Sequence, residues 1–219
     1  MLKKQLADRG VRTPRFDFAA INYLRKTGAD LVRLNALFPK TELSIAADIV
    51  GALIGIPVLS AGAAAVKFLD KQLGEIYGRR KLRQKITNEI VERVLAAPAE
   101  PDLAAALPYY FALDVNDSLD DKVRRLVLFF DTHEAFWGEG NTAPPDSLSA
   151  ASVSRDEWFR SLLGNLDLPG GVVVVVAGRV VPIWDFVPTL AIPRDFIDLR
   201  HVGPPSATGC GNLSPSRRS

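Results

Sequence analysis

The sequence predicts an α/β fold built on a parallel sheet, from two short apolar runs and the helical pattern between them. LVLFF at 126–130 and VVVVV at 172–176 are uninterrupted and too short for helices, so they read as strands buried on both faces. Between them, Ser154 and Glu157 have the spacing of a capping box and open a helix that turns Trp158, Phe159, Leu162, Leu163 and Leu166 toward the core. Strand, loop, helix and strand make a βαβ unit, whose two strands must run parallel.

The elements before this unit read as helical additions. Residues 2–9 and 16–26 have short helical patterns, separated by Gly10 and Pro14, with Phe18, Ile21 and Leu24 or Arg25 on neighbouring turns. From Ile49 to Val66 the chain carries no charge. That run approaches the length of a membrane span, and Lys67, Lys71 and Arg79 to Lys85 would suit a cytoplasmic flank. Gly51, Gly55, Pro57 and Gly62 divide it, which suits a buried hairpin of small residues instead. Leu69, Leu73 and Ile76, then Ile86, Ile90 and Val94, predict a long amphipathic helical region ending near Pro98. The basic cluster Arg79, Arg80, Lys81, Arg83 and Lys85 falls on its polar side, as a solvated face or an anionic-surface patch. No aromatic residues interleave it to favour nucleic acid.

Pro101 and Asp102 open a further helix in which Leu107, Phe111, Val115 and Leu119 repeat every fourth residue. Residues 138–153, rich in Gly, Pro, Ser and Asn, read as an exposed loop, and Pro169-Gly170-Gly171 as the turn into the second strand. The closing GPPSATGCGNLSPSRRS lacks the residues to build a core and predicts a disordered tail.

Composition narrows the chemistry. Hydrophobic residues at 47% and charged residues at 24% describe a chain apolar enough to fold, and a net charge of +2 selects no partner by itself. One cysteine, Cys210, rules out an internal disulfide and a cysteine-built zinc site, and fits a reducing, cytoplasmic setting. The start of the chain has no apolar core of the kind a secretory signal needs. Two histidines, His133 and His201, cannot make a three-histidine zinc site, and His133-Glu134 lacks the second histidine of H-E-x-x-H. No G-x-S-x-G elbow is present. Trp137, Trp158 and Trp184 read as core or rim aromatics.

The candidate site lies where parallel strands end, because loops and helix N-termini converge there. Asp131 follows LVLFF and could hold Mg2+ through water, or simply cap the next element. Glu134, three residues on, could orient or deprotonate an attacking water. Arg179 follows the valine run and could neutralise a terminal phosphate.

LVLFFDTHEAFW, DEWFRSLL and VVVVVAGR with Trp184, in that order, resemble bacterial signal-transduction ATPases with numerous domains. These are STAND-type P-loop NTPases, often joined to tetratricopeptide repeats. PRFDFAAINYL and LPYYFALDVNDSL resemble segments that such proteins carry ahead of the acidic strand, so the likeness extends over 11–186, its specific motifs lying at 126–184. The resemblance implies a three-layer P-loop-type domain binding ATP and Mg2+, with Asp131 as the Walker B acid, Glu134 at an acidic position of that motif and Arg179 as the phosphate-sensing arginine. The sequence departs from it in one respect: no Gly-Lys pair, and hence no phosphate loop, occurs anywhere.

The expectation is therefore an incomplete domain, a truncated or frame-shifted copy. Its parts are an N-terminal helical part at 1–48, the apolar segment at 49–66, a helical region at 67–121, the βαβ unit at 122–190 and the tail at 191–219. The expected function is regulatory ATP binding with impaired hydrolysis and protein partners. The alternatives are a nucleotide-free interaction module or inactive fragment, and a membrane-associated protein anchored through 49–66.

Overall fold

A computed structural model describes residues 2–28, 84–119, 124–131 and 150–179, together with 197, 198 and 200. The apolar segment 49–66, the first half of the amphipathic region, Trp137, Trp184 and nearly all of the tail lie outside these residues. Among the described residues, no helix is long and apolar enough to cross a membrane.

Helix α1 spans Leu2–Asp8 and α2 spans Pro14–Thr27. Between them Gly10 takes a positive φ of 82°, and the Val11 amide returns to the Leu6 carbonyl at 2.9 Å. Pro14 does not break the second helix but starts it, since the first helical position has no use for an N–H and favours proline's fixed φ. Helix α3, Asn88–Ala96, begins on Thr87, whose hydroxyl accepts the Ile90 amide at 3.4 Å. The amphipathic helical region expected up to Pro98 is divided here by a bend at Ile86 and the Thr87 cap. At the far end of α3, Lys26 Nζ donates to the carbonyls of Val94, Leu95 and Ala97, which fastens α2 to α3 through otherwise orphaned helix-end acceptors.

A π-helical turn at Ala99–Leu103 leads into α4, Ala104–Asn116. Phe111 and Val115 on the predicted stripe are buried, with Leu107 and Leu119 packed at its margin. Strand β1, Leu126–Phe130, then pairs in parallel with β2, Val172–Val176, in the register Leu126↔Val172 to Phe130↔Val176. Helix α5 between them spans Ala150–Asn165. It starts four residues ahead of Ser154, inside the stretch read as loop, because consecutive alanines at 150 and 151 propagate the helix more readily than a serine interrupts it. Helices together with a small parallel sheet make the fold α/β.

Period-two alternation gives the sheet two unlike faces. Leu128 and Val172 point inward, flanked by Leu126, Phe130, Val174 and Val176, and join Leu6, Phe16 and Ala20, Phe111, Ala112 and Val115, and Phe159, Leu162, Leu163 and Leu166 in one buried cluster. Phe16 meets Phe111 edge-on at 5.1 Å, and Phe130 meets Phe159 at 4.6 Å. The opposite face carries Val127, Phe129, Val173 and Val175, all exposed, Phe129 at 72%. The strands are therefore buried on one face only, against the expectation drawn from their unbroken apolar runs. Trp158 is likewise 37% exposed rather than turned into the core, since it lies beside Phe159 on the rim of the buried stripe.

Asn116 joins the ends of α4 and α5: its Nδ2 donates to the Asn165 carbonyl and its Oδ1 accepts the Asp167 amide, both at 2.9 Å. The turn into β2 then depends on Gly171. Its φ is +119°, and a Cβ there would stand 2.5 Å from the Arg124 carbonyl oxygen, just where the Gly171 carbonyl accepts the Leu126 amide at 3.1 Å. Gly171→Ala is expected to cost about 2 kcal/mol of stability, from strained backbone and a displaced first rung of the sheet, and urea unfolding followed by circular dichroism checks it.

Candidate functional site

The carboxyl edge of the sheet is set by the β1–β2 register. The last paired residues are Phe130 and Val176, and the Ala177 amide donates to the Phe130 carbonyl at 2.7 Å, so the ladder runs one residue past the strand end. Asp131 directly follows the last paired residue of β1, and Arg179 comes three residues after the last paired residue of β2. Adjacent strands lie about 4.8 Å apart, so the two chains leave the sheet from neighbouring positions. Asp131 and Arg179 are exposed. Glu134 lies outside the described residues.

The donor set bears on which metal this edge suits. Among the described residues, no three His, Cys, Asp or Glu side chains gather into a metal-binding group. A single exposed carboxylate fits the way Mg2+ is usually held, through one or two carboxylates, several waters and the phosphates that carry it. Asp131 would be that carboxylate.

A second polar group belongs to no motif in the sequence. Asp114 is on the same side of α4 as Leu107 and Phe111, seven and three residues earlier, and is 0% exposed. Burial pushes its carboxyl up to about 7, opposed by the Phe16 amide and the Arg15 charge, reinforced by Asp17 and opposed again by Lys85. An acid on an apolar stripe was the available signal, although the same LDVND letters also suit the solvated end of a helix. Lys85, grouped by sequence with a basic patch, is part-buried here and stands 3.6 Å from Asp117.

The chain matches no protein-family model, no curated protein and no solved structure.

Proposed function

We propose that the carboxyl edge of the sheet binds a magnesium nucleotide and that the domain is a regulatory, STAND-like member of the P-loop class with weak or no hydrolysis. The observation that carries this reading is the exit of Asp131 and Arg179 from adjacent parallel strands. In that geometry Asp131 would hold the metal's water shell, and the Arg179 guanidinium would pair with terminal phosphate oxygens, the charge-assisted contact to which its fork is suited. Glu134 is assigned the attacking water. Bound Mg2+ would supply charge neutralisation between phosphate oxygens. Without a phosphate loop, the triphosphate loses an N–H cradle and a lysine, so affinity falls while the strand-end contacts remain.

Calorimetric titration of the full chain with magnesium-ATP tests the reading. Saturable binding is expected in the millimolar range, and Asp131→Ala and Arg179→Ala are each expected to weaken it at least about tenfold, the worth of one charge-assisted contact. No heat at millimolar nucleotide, or binding unchanged in both variants, removes it.

A second reading, an interaction module, is favoured by the open sheet face of Val127, Phe129, Val173 and Val175. Parallel sheets carry helices on both faces, and Arg124 and Arg125 are exposed where β1 begins. The matching occupant is an amphipathic partner helix with acidic residues beside its apolar stripe. Absence of nucleotide binding leaves this reading standing.

A further inference from the structure

Four charged side chains meet where the start of α2 crosses the end of α4. One Asp114 oxygen accepts the Phe16 amide at 3.0 Å, in the first turn of α2, and the other faces Arg15 Nη1 at 3.2 Å. The same Nη1 donates to Asp117 Oδ2 at 2.7 Å, and Arg15 Nε donates to the Lys85 carbonyl at 2.9 Å. Lys85 Nζ stands 3.6 Å from the same Asp117 oxygen. Lys85 lies two residues before Thr87, the cap of α3, so Arg15 ties the approach to α3 to the α2–α4 pair.

The two carboxylates that share Arg15 have opposite access to water. Asp117 is 43% exposed and stays solvated without a partner, whereas Asp114 is wholly buried in the last turn of its own helix, where the macrodipole disfavours negative charge. If one of the pair takes a proton, it is Asp114. Its Phe16 contact survives, because a protonated carboxyl still accepts through its carbonyl oxygen. Its hold on Arg15 does not.

The geometry points to a proton-operated latch: uptake of one proton by Asp114 transfers Arg15 from a shared grip to Asp117 alone and loosens the chain at Lys85. The charges that act on Asp114 are Arg15 and Asp17 from α2, Asp17 itself paired with Lys3 at 3.2 Å, and Lys85 from the segment before α3. Asp117 follows at the end of its own helix. Helix α5 meets α4 through the apolar cluster and Asn116, and Glu100 of the π-helical turn is engaged by Tyr23 at 2.6 Å. Linkage gives the direction. Arg15 and Lys85 favour the ionised carboxylate, so its protonation must weaken both attachments.

The sign for global stability follows from the raised carboxyl. The unfolded chain loses this proton near pH 4 and the folded chain near pH 7, so the stabilisation is complete below about 4 and is lost as pH rises through about 7. Urea unfolding of the full chain and of Asp114→Asn across pH 5 to 8 reads this out. The ratio of the wild-type to the variant folding constant is expected to fall at least tenfold between the two ends, the limit being about tenfold per pH unit. A constant ratio, or one that falls on acidification, overturns the proposal. Should the variant not fold, the carboxyl carbon of Asp114 is followed by NMR in the wild type and in Asp117→Asn. A midpoint near neutrality, lowered when Asp117 loses its charge, is expected, and a midpoint at the ordinary value of about 4 overturns it. Amide exchange at 85–87, corrected for intrinsic rates, is expected to speed up several-fold on acidification through that midpoint. Unchanged protection there would show that Asp114 titrates without operating a latch.

Discussion

Phe159→Ala is expected to remove about 4 kcal/mol of folding free energy, in the range for a fully buried phenylalanine whose cavity cannot collapse. The ring is 0% exposed and sits at the centre of the cluster that holds α5 to the inner face of the sheet. Its edge-to-face contact with Phe130 at 4.6 Å spans that interface, with Leu128 and Val172 beneath and Leu162, Leu163 and Leu166 along the same helix. Little is free to fill the gap, because helix and strand backbones fix the lining. A single domain has roughly 5–15 kcal/mol in total, so the loss should leave a large unfolded fraction at modest denaturant. Urea unfolding by far-ultraviolet circular dichroism measures it, with Trp158→Ala as the neighbouring control on the rim of the same helix. A cost no greater than that control would mean that α5 does not close the core.

The same helix shows what the sequence made legible. Strand limits at 126–130 and 172–176 were plain because five consecutive apolar residues admit no other short element, and the apolar spacing of Phe159, Leu162, Leu163 and Leu166 identified the core side of α5. The start of α5 was not, since a capping-box pattern at Ser154 is also compatible with a helix already in progress. Two-sided burial of the strands was inferred from composition, yet composition fixes only what a face could bury, and Phe129 and Val127 remain outside. At the candidate site, the strand-end positions of Asp131 and Arg179 follow directly from chain order. Asp114 could not be singled out without knowing that the N-terminus of α2 lies against it, a contact between residues 98 positions apart.

Phe18→Ala, on the helical side, is expected to cost a comparable amount, about 4 kcal/mol. Helix α2 is buried nearly all round, its Asp17 and Asn22 included: Phe16 and Ala20 belong to the cluster shared with the sheet, while Phe18, Ile21 and Leu24 are also buried. Contacts with α3, the π-helical turn and α4 surround it. Such a helix is a central element, and a cavity beside it is felt by everything packed on it. All three tryptophans lie at 137 or beyond, far in sequence from Phe18, and Trp158 stands on α5, so its fluorescence reports on the helix that packs on the sheet. Urea curves of Phe18→Ala recorded by fluorescence and by circular dichroism are therefore expected to move to lower denaturant together. Coincident shifts would mean that the shared cluster of Phe16, Ala20, Phe111 and Leu128 couples the helical additions to the sheet as one cooperative unit. A fluorescence transition left in place while the dichroism splits would mean that the βαβ unit folds on its own core and that α2 is an addition it can lose.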